Sequence, residues 1–136
     1  MALSTRPRRG RSEIISPLGG GGVLQRLRTL CLSLPETSER SSWGHPNFRA
    51  GRRTFATFER VHGRPSIAFR LDDAAIKRVT RRKQFFVTPY GRGAWISMWA
   101  DAPVSWRIVR DLVLRSYRLV ALQRMIAALE STSRQQ

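Results

Sequence analysis

Residues 66–71, Ser-Ile-Ala-Phe-Arg-Leu, alternate without a break, and no other feature restricts the fold of this chain as tightly. A period of two sets Ile67, Phe69 and Leu71 on one face of a strand and Ser66, Ala68 and Arg70 on the other. Such a strand needs neighbours, and the preceding residues supply them. Residues 53–61 read as a second strand, with Phe55 and Thr57 on one face and Ala56 and Phe58 on the other. Residues 47–50 read as a shorter third. Gly51 offers a turn between residues 47–50 and 53–61, and Gly63 with Pro65 punctuates the turn before residue 66. The expectation is a three-stranded antiparallel meander with one apolar face.

That face has to be covered, and the flanking segments carry helical stripes. In residues 23–34, Val23, Leu24, Leu27, Leu30, Cys31 and Leu34 recur at helical spacing, with Arg26 and Arg28 off the stripe, until Pro35 ends the pattern. Asp72 is a natural N-cap for a short helix that closes on Arg81, Arg82 and Lys83, charges that suit the helix dipole. Two further strands follow, Phe-Phe-Val-Thr and Ala-Trp-Ile-Ser-Met-Trp-Ala, separated by Pro-Tyr-Gly-Arg-Gly. A last helix is expected from about Pro103, with Trp106, Val109, Leu112, Val113, Tyr117 and Val120 in one sector and Arg107, Arg110, Asp111, Arg115 and Arg118 in the opposite one. Beyond Ala121 the stripe drifts, leaving either an extension with its own partner or a frayed end. The order predicts an α+β two-layer sandwich: an antiparallel sheet of about five strands with the N- and C-terminal helices on one face.

At 136 residues the chain has room for one core. Residues 1–22, with four Arg and then Pro-Leu-Gly-Gly-Gly-Gly, read as a disordered basic tail or an over-extended start. The folded domain is expected over 23–122, with 123–136 as the extension. No apolar run approaches the ~20 residues of a membrane span, and no secretory signal core precedes the domain. Cys31 is the only Cys, which excludes an intramolecular disulfide and a thiolate metal cage and points to a reducing, cytoplasmic setting. It lies on an apolar stripe, as a core residue would.

Charge decides the class of partner. Lys plus Arg is 25 against nine acids, a net charge of +16, and only Lys77 and Lys83 are Lys. A bias toward Arg codons explains Arg over Lys but not the scarcity of acids. The excess points to a polyanion such as nucleic acid. Catalytic constellations are missing: two His, one Cys and nine scattered carboxylates give no metal-ligand spacing, and there is no P-loop, dinucleotide fingerprint or nucleophile elbow. No enzyme, cofactor or metal is expected, and a monomer is. Arg clusters at the turns instead: Arg49, Arg52 and Arg53 around Gly51, Arg60 and Arg64 around Gly63, and Arg92 in the Tyr-Gly-Arg-Gly loop. Hairpin tips of this kind can follow a phosphate backbone. Successive meander turns lie at opposite ends of a sheet, roughly 23 Å apart for seven residues at ~3.3 Å each. A second reading stays open, a small-ligand or protein-binding module in which Trp43, His45, Trp95 and Trp99 line a pocket and the charge is incidental. Against it, Trp95 and Trp99 alternate on one strand face, as core residues do.

The motifs Leu34-Pro35, Trp43-Gly44-His45-Pro46-Asn47-Phe48, Gly51 to Ala56, Ser66 to Arg70, Trp95 to Met98 and Ser116-Tyr117 together resemble the MmcQ/YjbR family over roughly residues 23–122. The resemblance implies a frataxin-like fold and a non-enzymatic DNA-binding protein with a double-wing arrangement. The family's Gly-Lys is Gly51-Arg52 here and its strand Lys is Arg70, so positive charge is kept. Phosphate contacts are therefore assigned to Arg49, Arg52, Arg53, Arg64, Arg70 and Arg92. True frataxins bind iron through acids on the first helix, where this chain has Arg26 and Arg28. Within the motif, Gly-His-Pro is expected to turn the chain into the first strand, with His45 hydrogen-bonded rather than catalytic.

Overall fold

The computed structural model describes residues 21–89 and 91–134. The order is α1 (Gly21–Leu32), β1 (Thr37–Ser42), β2 (His45–Ala50), β3 (Arg53–Val61), β4 (Arg64–Arg70), α2 (Asp73–Val79), β5 (Phe85–Val87), β6 (Trp95–Trp99), α3 (Trp106–Val120) and α4 (Gln123–Arg134). All six strands form one antiparallel sheet in the order β1-β2-β3-β4-β6-β5. With the helices on one face this is the expected α+β two-layer sandwich. The proposed tail, residues 1–22, lies outside the described residues except for Gly21 and Gly22, which open α1.

The sixth strand is β1, which sequence patterning passes over. Thr-Ser-Glu-Arg-Ser-Ser has no apolar side chain, because β1 is an edge strand with little to bury. It exists because a two-residue turn folds it onto β2. Trp43 and Gly44 both have positive φ, 55° and 81°, the type I′ geometry that matches the twist of a hairpin. The turn is therefore Trp43-Gly44, not Gly-His-Pro; His45 and Pro46 already belong to β2.

The core lies between the sheet and the helices. Register puts Phe58 opposite Ile67, Ala56 opposite Phe69, and Ile67 and Phe69 opposite Met98 and Ile96, so these side chains share the helix-facing side. Phe55 joins them, against the simple alternation. The β2–β3 register shifts between Phe48 and Arg49, and the irregularity lets Phe55 meet Tyr117 of α3 edge to face at 5.7 Å. From α1 come Leu27 and Cys31, and from α3 Val109, Val113 and Tyr117, all fully buried. Burial in apolar surroundings pushes the Cys31 thiol far above its ordinary range, as befits a core filler. The Tyr117 hydroxyl donates to the Pro35 carbonyl at 2.8 Å, pinning the end of α3 to the α1–β1 connection. Ser116 of the same motif is also buried.

The last helix starts at Trp106 rather than near Pro103: Ser105 caps it, and the Pro103 carbonyl accepts from Gln84. Its sector of apolar residues is buried as expected, except that Trp106 is only partly buried. Past Ala121 the chain turns and continues as α4, an extension with its own partner. Met125 is 1% exposed, and its methyl group would stand 2.9 Å from a Cβ placed on Gly51. Arg124 binds the Glu36 carboxylate through two hydrogen bonds, 2.9 and 2.8 Å, and Arg118 binds Glu130.

Candidate nucleic-acid interface

Two hairpins with Arg at their tips reach the same end of the sheet. The β2–β3 tip is Gly51-Arg52; Gly51 has φ +61°, which a two-residue turn needs at its first position and which Gly adopts without strain. The Gly51 N–H donates to the Glu36 carbonyl at 3.1 Å, and Met125 packs behind it, so the base of the tip is fixed. The second tip lies between β5 and β6. Arg92 and Gly93 have φ 54° and 80°, and the Ala94 N–H closes the turn on the Gly91 carbonyl at 3.1 Å. The Ala94 carbonyl in turn accepts from Leu71, tying this tip to the end of β4 at 3.0 Å. Strand order separates the two tips by about three strand spacings, ~14 Å at ~4.8 Å each.

Between the tips, on the face away from the helices, lie Arg49 of β2, Arg70 of β4 and Trp95 of β6. Arg70 and Trp95 are register partners. One terminal nitrogen of Arg49 donates to the Arg52 carbonyl. The Nε atoms of Arg49 and Arg70 are buried without a hydrogen-bond partner. An unsatisfied buried donor costs about 1–3 kcal/mol. Among the described residues none of Arg49, Arg52, Arg53, Arg70 and Arg92 pairs with a carboxylate. The described acids that form ion pairs are committed elsewhere: Glu36, Glu39, Asp101, Asp111 and Glu130 to Arg side chains and Glu59 to His45.

Arg64 does not belong to this group. It sits at the opposite end, beside the Gly63 turn, where it makes two hydrogen bonds to Asp101 at 2.7 and 3.1 Å. Its guanidinium also lies 3.8 Å over the Trp99 ring, whose neighbour Phe86 stacks at 4.1 Å. The Arg64 hydrogen bonds hold the Asp101 carboxyl below its ordinary range. Trp43 and Gly44 occupy the same far end, with Trp43 95% exposed at the tip of the β1–β2 hairpin. His45 faces Glu59 at 3.2 Å. Trp43, His45 and Trp99 thus lie toward one end of the sheet and Trp95 toward the other.

The Trp side chains correct one expectation. Trp95 and Trp99 are half-buried on the open face and lie outside the core, because the helices cover the side bearing Ile96 and Met98. Alternation alone cannot tell which face of a strand a helix will choose. Basic charge is also present on the helix side. A cleft of about 370 Å³ between α2 and α3 is lined by Arg78, Arg82, Arg107 and Asp111 over Val79, Ile108 and Leu112, with no aromatic side chain. Among the described residues no three His, Cys, Asp or Glu converge as metal ligands, and no helix is long and apolar enough to cross a membrane.

A family model described as YjbR matches residues 32–119. No curated protein matches the chain. Two solved structures share its fold. One is a Deinococcus radiodurans protein with the family-model domain DUF419, 16% identical, TM-score 0.65, covering 85% of this chain and 91% of its own. The other is a Pseudomonas syringae protein solved as a structural-genomics target, 12% identical, TM-score 0.61, covering 71% of this chain and 96% of its own.

Proposed function

The chain belongs to the YjbR family, and from that premise we propose that it is a non-enzymatic DNA-binding protein that grips the phosphate backbone through its two Arg-tipped hairpins. The observation that carries this reading is the gathering of Arg49, Arg52, Arg53, Arg70 and Arg92 at one end of the sheet, with no carboxylate among the described residues paired to any of them. Guanidinium groups are suited to phosphate oxygens by charge and by their forked donors. Tips about 14 Å apart, at ~4.8 Å per strand, are close to the ~12 Å width of a major groove, so the two wings can straddle it. Arg64 drops out of the contact set, since Asp101 and Trp99 already hold it. The sandwich is read as frataxin-like, and the protein as a monomer that needs no cofactor.

Backbone contacts of this type give little sequence selectivity and a steep dependence on salt. Five phosphate contacts predict a slope of about −4.5 in log affinity against log salt, at ~0.9 per phosphate. Anisotropy titrations of a labelled 20-base-pair duplex at 50 and 200 mM NaCl should therefore differ a few hundred-fold in affinity. Arg52→Ala/Arg53→Ala should retain its circular dichroism and melting behaviour while flattening the slope by about two. Absence of duplex binding at 50 mM salt refutes the proposal.

A further inference from the structure

The face of the sheet opposite the helices has no covering element among the described residues, yet it is not an ordinary solvated face. Register aligns Asn47, Thr57, Ala68 and Ser97 in one row across β2, β3, β4 and β6. These side chains are 9%, 8%, 1% and 0% exposed without a helix above them. They are small, and taller neighbours screen them: Arg49, Arg70 and Trp95 in the next row on one side, His45, Glu59 and Trp99 on the other. Phe86, opposite Ser97 on β5, ends the row. The result is a filled trough across the strands: small side chains lie beneath, and the Arg side chains and aromatic rings over them make the outer surface.

We propose that this trough takes an unpaired strand of DNA, with a base stacked on Trp95 and phosphates held by Arg49 and Arg70. The inference deepens the DNA-binding reading above and rests on it. Trp99 is already engaged, with Arg64 and Phe86 stacked against it. Among the described residues no ring or cation stacks on Trp95, and its register partner Arg70 has a buried, unpartnered Nε. The choice of occupant follows from charge and from ring faces together. Two guanidinium groups without carboxylates favour a polyanion. An aromatic beside them favours one with exposed planar faces. In a duplex the base faces are covered by their neighbours and only edges show; in an unpaired strand the faces are free to stack on a protein ring. The wall of Arg49, Arg70 and Trp95 lies toward the end bearing the Gly51 and Arg92 tips, so a strand leaving the wings meets these side chains first.

The test uses the full chain and two labelled probes, a 20-nucleotide oligothymidine and a 20-base-pair duplex, at 100 mM NaCl. The single strand should bind at least tenfold tighter than the duplex and quench Trp fluorescence, whereas the duplex should leave it nearly unchanged. Trp95→Ala should weaken single-strand binding about tenfold, the usual loss for one stacked base, with duplex affinity within twofold of the parent. Trp95→Phe should restore most of the loss, which a merely structural role for Trp95 would not require. Equal affinity of the parent chain for both probes overturns the inference, and needs no variant that folds. So does an equal loss for both probes in Trp95→Ala. A change of oligomeric state in that variant by light scattering, without loss of single-strand affinity, overturns it by making the face a contact between copies. Duplex binding without single-strand preference leaves the wing reading standing, and binding of neither probe removes both.

Discussion

Tyr117 shows how a single side chain can join three parts of the molecule. Its ring is fully buried against Phe55, and its hydroxyl reaches the Pro35 carbonyl 82 residues away in sequence. The helical stripe places the residue in the core from sequence alone, but the hydroxyl's partner depends on the packed fold. Tyr117→Phe keeps the ring contact and loses the hydrogen bond, so we expect a loss of about 1 kcal/mol in urea denaturation with an unchanged slope. A null effect would mean that water replaces the bond at no cost. Cys31 was equally legible, since an apolar stripe predicts burial whichever helix face is covered. Trp95 and Trp99 were not: their alternation is clear, but which side faces the helices is a tertiary choice. That Arg64 stands apart from the other Arg side chains is hidden for a similar reason. Nothing near it in sequence announces Asp101, which lies 37 residues on.

At the level of elements, strands with an apolar face were the readable ones. β3 and β4 follow the expected alternation except at Phe55, where the β2–β3 irregularity adds a residue to the core side. β1 escaped notice because its stability comes from ladder hydrogen bonds and from Glu39 pairing with Arg28, not from apolar burial. The signal that could have revealed it is Trp43-Gly44, once read as the centre of a hairpin rather than as the prelude to one. α4 matters to the interface through its support of the β2–β3 tip. Met125→Ala removes the side chain packed behind Gly51, and we expect a loss of about 2–4 kcal/mol in chemical denaturation, in the range for a buried Met truncated to Ala. Hydrogen exchange at the Gly51 amide, which bonds to Glu36, should rise by more than exchange at the β4 amides. Uniform change across the sheet would show that α4 does not brace the tip specifically.

For the whole molecule, the balance of charge outweighs any single ion pair. A net charge of +16 on 136 residues raises the energy of the compact state through self-repulsion, while exposed ion pairs contribute little. Added salt screens both. Repulsion among unpaired cations on both layers should dominate, so the melting temperature should rise between 20 and 300 mM NaCl. A fall would mean that the ion pairs at Glu36, Glu39 and Asp101 stabilise the chain more than the repulsion destabilises it. On the DNA-binding proposal, opposite salt responses of stability and DNA affinity are expected from the same charges: screening relieves the free protein and weakens a hold on a polyanion.

The sequence by itself determined the α+β class, the meander, the two amphipathic helices and the basic character. These follow from the periods of apolar residues and from charge counts, which need no knowledge of neighbours. It also carried the family resemblance, in motifs that a match over residues 32–119 bears out. Only the tertiary structure decided which Arg side chains lie together. The strand order β1-β2-β3-β4-β6-β5 inserts β6 beside β4 and so brings the Arg92 turn to the same end as the Gly51 turn, while the Gly63 turn and Arg64 remain at the other. Side-chain spacing along a strand is local, but the grouping of hairpin ends depends on how distant strands pair.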